Sequence, residues 1–416
     1  MKYTFLIIAL LAGYATTRGQ ALGSKQPYDP PTSAPAEPPP GYTIFYMDHV
    51  GRHGARHGTG TKELSALLAM LDNDSLTAQG RSLRASVAAL LAEEKMHTPG
   101  SLSQTGLDEQ YGLGRRMALR LPLDKGACVT VTTTPEERTQ QSAESFLKGL
   151  GDGDSLPCLV RKGVDTVHLR FFSLAPAYVA FAKKGPWRSS LQPLEDALRP
   201  MEDSVARRVF AGGGNPGFCG ALYAAVSLLP GLAHETGGID LSRAFTPSEM
   251  LRLGVLDGAK DFLVKGPSAD TDGIQLRVAA PLLLDFIQTA SQRLAEGRGG
   301  ADLRFAHAET IAPIAGLMGI EGAGTPTADL AHYTRVWRAD RVMVYSGNIQ
   351  WVFYRRKGSP DLVEILFHER PVHIPVATVS FPFYKWSDVS AYYLARLASL
   401  GVTPETDLLA WLRNLR

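Results

Sequence analysis

Apolar and polar positions alternate between two periods along this chain. Residues 41–47 form a short apolar run with aromatic and β-branched character, which predicts a strand. A Gly-rich stretch follows, then helical spacing over residues 64–71, 80–95 and about 106–119. Val129 and Val131 alternate with Thr130 and Thr132, predicting a strand over 128–133. Pro135-Glu136-Glu137 opens the next helix with an acidic first turn that suits the helix dipole. A further strand is expected over 166–172.

Residues 173–267 read differently, as helical pattern broken by Gly and Pro. Thr246-Pro247-Ser248-Glu249 has the form of a capping box, with Phe245 and Met250 placed as its hydrophobic staple. Strand and helix alternation resumes with a helix over 281–296 and a strand that ends at His307. Residues 341–373 hold three strand-like runs, separated by turn signals at 346–348 and 358–361. A last helix starts near Ser387. Strands alternating with helices predict an α/β core, with a helical insert over about 173–275 between core segments 41–172 and 276–416.

Composition adds bounds to this layout. Residues 1–21 have a basic start and an apolar centre too short to span a bilayer, the pattern of an export signal. Periplasm or secretion is the expected destination, with no other membrane segment. That stretch carries Lys2 and Arg18 and no acid, so without it basic residues match the 41 acidic ones. A near-neutral total argues against a general nucleic-acid or membrane-surface binder, so an anionic ligand needs locally placed positive charge. Seven prolines among residues 27–40 predict an extended linker over 22–40, with folding starting near Gly41. Cys128, Cys158 and Cys219 allow one disulfide and one free thiol, with the pairing open.

Two motifs sit where an apolar run stops and a helix pattern starts. Arg52-His53-Gly54-Ala55-Arg56 follows the first strand, and His307-Ala308-Glu309 follows a later one. Strand ends of this kind meet at the carboxyl edge of a parallel sheet, the usual place for an α/β site. A phosphate monoester is a dianion whose cleavage needs positioned positive charge. Arg52 and Arg56 can flank it with planar, permanently charged forks. His53 can attack phosphorus, Glu309 can protonate the leaving oxygen, and His307 can donate to a phosphate oxygen. Arg138, after the 128–133 strand, is a third candidate guanidinium. A rival pattern is the four-residue spacing of His49, His53 and His57, which on a helix would align three imidazoles for a metal. Gly51, Gly54, Gly58 and Gly60 disfavour a helix there.

Together these motifs resemble the histidine acid phosphatases, in the branch that includes phytases and bacterial multiple inositol polyphosphate phosphatases. The first motif resembles that family's Arg-His-Gly-x-Arg signature. Residues 102–106 and 113–116 resemble the segment before its second arginine, and residues 133–150 resemble the segment carrying it. His307-Ala308-Glu309 resembles the His-Ala-Glu form of the inositol phosphatase subgroup. The resemblance implies a doubly wound, mostly parallel sheet with helices on both faces and a smaller inserted α-helical domain. It implies His53 as phosphorylated nucleophile, Glu309 as proton donor, and Arg52, Arg56, Arg138 and His307 as holders of the transferred phosphate. It implies no metal and no organic cofactor. Gly58 stands where that family often has proline, and His57 where an apolar residue is common. The expected ligand is a small anionic phosphate ester. A broad acid phosphatase and a non-catalytic anion-binding protein are the alternatives, and neither oligomeric state nor exact substrate is legible.

Overall fold

A computed structural model describes residues 21–416 apart from 73, 74 and 125. The expected export signal lies outside the described residues except for Ala21. The strands are β1 (Thr43–Arg52), β2 (Cys128–Thr133), β3 (Leu159–Val164), β4 (Gly300–Ala306), β5 (Asn348–Arg355), β6 (Leu362–Phe367), β7 (Arg370–Pro371) and β8 (Phe383–Lys385). The helices include α1 (Lys62–Met70), α2 (Ala78–Glu94), α3 (Gln104–Arg120), α4 (Glu137–Ser155), α5 (Trp187–Val209) and α6 (Phe218–Leu228). They continue with α7 (Pro247–Lys265), α8 (Ala280–Glu296), α9 (Ala308–Leu317), α10 (Trp386–Ser399) and α11 (Leu408–Asn414). Among the described residues, no helix is long and apolar enough to cross a membrane.

One mixed sheet runs β3-β2-β4-β1-β5-β6-β7, with β8 beside β6. The first four strands are parallel, and from β5 outward the pairing is antiparallel. The two halves differ because β5 and β6 are joined by a tight connection, whereas the parallel strands are joined by helices. Side chains of β1 divide between the two faces. Tyr46 and Val50 join a core with Ile311 of α9 and Trp351 of β5. Met47 faces the opposite way, into a core with Leu113 of α3 and Phe146 of α4. Helices therefore cover both faces, as an α/β core requires.

A third core belongs to the helical layer. It joins Leu67 of α1 and Val87 of α2 to Val205 of α5, Leu222 of α6 and Leu253 of α7. Thus α1 and α2, from the first α/β segment of the sequence, pack with the helical region rather than with the sheet. Among the described residues, 173–275 contributes no strand to the sheet. The capping box at Thr246 is formed in full: Thr246 N donates to Glu249 Oε2 at 2.7 Å, and Glu249 N donates to Thr246 Oγ1 at 3.3 Å. Phe245 and Met250 are both buried in that helical core.

Three expectations need correction. Residues 166–172 are not a strand; the strand is β3, ahead of them. Among the described residues β3 pairs with β2 alone, and its side chains are largely exposed, so it shows no apolar alternation. Leu169 and Phe171 are apolar because they are buried beside a turn and a short helix at Phe171–Leu174. In 341–373, residues Ala339–Val342 are helical, and Ser346-Gly347 leads into β5 instead of closing a hairpin. The β5–β6 hairpin is present, but the next turn is His368-Glu369, both at positive φ (52° and 62°). No Gly or Asn announces that turn. Finally, the first part of the expected 22–40 linker packs on the fold, which therefore starts ahead of Gly41. Leu22 and Gly23 are buried, and Tyr28 N donates to Glu109 Oε1 at 2.8 Å.

Cys128 and Cys158 form the disulfide, and Cys219 is free and buried. The bridge joins the start of β2 to the residue before β3, the edge strand that has one ladder partner.

Candidate active site

Sheet register brings the motifs together. Arg52 lies opposite Ala306 in the β1–β4 pair, and Thr132 opposite Arg304 in the β2–β4 pair. His53, His307 and Thr134 therefore leave the sheet at one carboxyl edge. His53 N donates to Ala306 O at 3.0 Å, and Arg52 N donates to Gly347 O at 2.7 Å. Behind the loop, Gly54 N donates to Ser142 Oγ (3.1 Å), Ala55 N to Glu109 Oε2 (2.9 Å), and Gln110 Nε2 to Arg52 O (3.0 Å). A Cβ on Gly54 would lie 2.4 Å from Gly106 O. Glycine is required there by close approach to the first turn of α3, not only by ligand access.

His53 is buried, with Nδ1 2.9 Å from Gly54 O. A carbonyl accepts only, so Nδ1 holds the proton and Nε2 keeps its lone pair. Burial, then Arg52, Arg56, His307 and Arg138, hold the His53 pKa well below the usual imidazole range. The ring is neutral at physiological pH, which is the state a nucleophile needs.

Arg52 donates through Nη1 to the carbonyls of Ser24 and Met343, and its guanidinium lies 4.4 Å from the Tyr345 ring centre. Arg56 Nη1 donates to His57 O at 2.7 Å. Arg138 Nη1 is 3.1 Å from Glu136 Oε2, and its Nη2 is 3.4 Å from His307 Nδ1. The Nε atoms of all three arginines are buried with no hydrogen-bond partner among the described residues. Buried cationic donors of this kind call for an anionic acceptor. Arg170, missed from sequence, adds a fourth guanidinium: Glu136 bridges it to Arg138, and Phe172 beneath it meets the His307 ring edge-on at 6.0 Å. It escaped notice because it falls in the segment read as a strand.

The His307 ring centre is 5.6 Å from that of His53. Its Nε2 is 3.0 Å from Thr134 Oγ1, and burial with Arg138 brings its pKa to about 3. Glu309 stands in the first turn of α9. Its Oε1 is 3.2 Å from Lys265 Nζ, which is also 2.9 Å from Asp261 Oδ1. Burial alone would raise the Glu309 pKa. Lys265, a backbone N–H, His307 and Arg52 outweigh it and hold the carboxyl at about 2. The acid of the free site is therefore ionised. Lys265 was missed because nothing local links the end of α7 to the start of α9.

The histidine triplet does not converge. His49 packs against Phe146 and Phe305, at ring distances of 5.3 and 5.8 Å. His57 Nδ1 is 2.8 Å from Glu94 Oε1, and its ring stacks on His97 at 3.9 Å. β1 continues through Arg52, so the spacing of four falls on a strand and loop instead of on a helix. Among the described residues, no three His, Cys, Asp or Glu side chains gather as a metal site.

No family model and no curated protein matches the sequence. Solved structures do match in three dimensions. The fold is that of inositol polyphosphate phosphatases and phytases. The Bifidobacterium longum multiple inositol polyphosphate phosphatase, in complex with inositol hexasulfate, superposes with a TM-score of 0.77 at 20% identity, over 94% of this chain and 99% of that one. The D. castellii phytase gives 0.66 at 17% identity, over 91% and 85% of the two chains. The Klebsiella sp ASR1 phytase gives 0.57 at 13%, over 88% and 99%.

Proposed function

We propose that the chain is an exported phosphomonoesterase that removes phosphate from myo-inositol polyphosphates such as phytate through a phosphohistidine at His53. The observation that carries this reading is a neutral His53 that keeps its Nε2 lone pair, set among arginines whose buried Nε donors have no partner among the described residues. The substrate class draws support from the similar Bifidobacterium protein, whose structures hold inositol hexasulfate and phosphate. Export draws support from the Cys128–Cys158 bridge, which suits an oxidising compartment.

In this mechanism the phosphate oxygens are bound by Arg52, Arg56 and Arg138, with His307 as a further donor once it turns from its present partners. His53 Nε2 attacks phosphorus as the bond to the inositol oxygen breaks. Glu309 gives its proton to that oxygen, and the alcohol departs. Water then attacks the phosphohistidine, Glu309 takes up its proton, and inorganic phosphate leaves. The arginines offset the charge that spreads over the equatorial oxygens. Glu309 must first gain a proton. A bound polyphosphate brings negative charge beside the carboxylate, and that raises its pKa from the low value of the free site. No step requires a metal or an organic cofactor.

The test is phosphate release from phytate, glucose phosphate and nucleotides, with and without EDTA, together with rapid quench of labelled substrate. Phytate hydrolysis that survives EDTA and label trapped on His53 are expected. Preference for glucose phosphate or nucleotides would favour the broad acid phosphatase. Phosphate binding without any release would favour an anion-binding protein. Loss of activity in EDTA, restored by zinc or calcium, would sink the metal-free mechanism.

A further inference from the structure

Residues 22–28 run directly behind the candidate site. The run starts in the helical layer, where Ala21 belongs to the apolar core and Lys25 Nζ donates to Ser227 Oγ of α6 at 2.9 Å. It ends at the sheet, where Tyr28 OH donates to Glu369 Oε2 at 2.9 Å and Arg116 lies over the Tyr28 ring at 5.8 Å. Between these ends the backbone touches the site three times. Ser24 O accepts from Arg52 Nη1. Gln26 O accepts from the backbone N–H of Tyr345, whose ring lies beside the Arg52 guanidinium, at 3.0 Å. Tyr28 N donates to Glu109, whose other oxygen accepts from Ala55 N of the His53 loop and from Ser346 Oγ.

We propose that residues 22–28 form a strap that positions the site, setting Arg52 and Tyr345 behind His53 and tying the helical layer to the sheet edge. The physical reason lies in Arg52. A buried guanidinium fixed by carbonyls on one side presents its remaining N–H groups in one direction. Both carbonyls that hold Arg52, Ser24 and Met343, come from outside its own loop. Without the strap, Arg52 loses one of them and Tyr345 loses its backbone partner. The segment makes one tight turn at Gly23–Lys25 and then runs on through Gln26 and Pro27 to Tyr28, so its backbone groups are free to meet the site instead of a ladder.

This inference rests on the reading of Arg52 as a phosphate holder. Two variants test it in the full chain. Leu22→Asp combined with Tyr28→Ala releases both ends. Gly23→Val disturbs the turn that carries Ser24, since Gly23 has φ +54° and its Cβ would lie 3.1 Å from Asp257 Oδ2. Trypsin cleavage after Lys25, rapid in a variant and slow in the parent, reports release of the strap. Inorganic phosphate affinity, kcat/KM on nitrophenyl phosphate and circular dichroism are measured on each. Misplacing a binding group by an ångström costs about 100-fold, so a loss of that order is expected in the double variant, with a smaller loss in Gly23→Val and native circular dichroism in both. If the double variant fails to fold, Gly23→Val decides alone. A strap that only stabilised the fold would lower Tm and leave phosphate affinity at 25 °C unchanged; that result, with trypsin showing release, overturns the proposal. Parent protein that binds phosphate but hydrolyses no ester sinks the proposed function, and phosphate affinity still tests the strap.

Discussion

His53 and Glu309 follow neighbouring parallel strands, β1 and β4, and are held in different ways. His53 is fixed by neutral backbone partners: Nδ1 on Gly54 O of its own loop and its backbone N–H on Ala306 O of β4, while α3 and α4 hold the following residues Ala55 and Gly54. Glu309 is fixed by a charge from another layer, Lys265 at the end of α7, which is itself held by Asp261. The electrostatic results differ as well. Burial and arginines leave His53 without a proton, which prepares a nucleophile. Lys265 leaves Glu309 without a proton too, which does not prepare an acid. Under the proposed mechanism, the nucleophile is ready in the free state and the acid waits for the charge that a substrate would bring, which would tie proton donation to occupancy by a polyanion.

The sharpest way to break this comparison is to remove the nucleophile. His53→Ala should abolish turnover on every phosphate ester while the fold persists by circular dichroism. Substantial residual turnover would reject the covalent role. Next in size is Glu309→Gln. General-acid help contributes about 10²–10⁴-fold, so phytate hydrolysis should fall by that order. Nitrophenyl phosphate, whose leaving group departs without a proton, should lose far less. Equal losses on both substrates would make Glu309 an orienting group.

A subtler change is Lys265→Met, which removes the cation that holds Glu309 down. The alkaline limb of phytate hydrolysis should then move to higher pH, while Lys265→Arg leaves it in place. An unmoved limb in Lys265→Met would show that Lys265 does not set the working state of Glu309. The same pair has a stability consequence. The folded Glu309 value, about 2, lies below the unfolded 4.5, so the ionised carboxyl stabilises the fold above about pH 4.5. That contribution is lost as pH falls towards 2. The smallest effect on activity is expected from replacing both Cys128 and Cys158 by Ser. Their link closes a loop with a sequence separation of 30, and a bridge of this kind contributes roughly 2–4 kcal/mol. Urea unfolding should shift to lower concentration with kcat little changed, because β3 lies at the sheet edge away from β1. A large kcat loss would mean that β3 helps to set the residues after β2.

Much of this was legible before any coordinates. Arg52, His53 and Arg56 were readable because a short motif stands where an apolar, β-branched and aromatic run gives way to a Gly-rich loop. Arg138 and His307 were readable for the same reason, since each follows a strand that runs to the same edge. Arg170 was not, because Leu169 and Phe171 imitate a strand while being buried beside a short helix. The His368-Glu369 turn was hidden because its positive φ values fall on residues with no turn signature. The strap was not legible because its partners, Arg52, Glu109 and Tyr345, are distant in sequence, and the prolines that follow it report backbone shape and say nothing about what the backbone lies against.

By itself the sequence determined the α/β pattern, the capping of α7, and the loop chemistry that puts a histidine between two arginines. These are local properties, set by side-chain period, backbone freedom and residue type within a few positions. Tertiary structure decided which cation meets Glu309, which cysteines pair, and which carbonyls hold Arg52. Each of those depends on segments far apart in the chain, brought into contact by burial of three apolar cores. The protonation state of the candidate acid was among those decisions, because a carboxyl group's pKa is set by the charges and solvent around it and not by its neighbours in sequence.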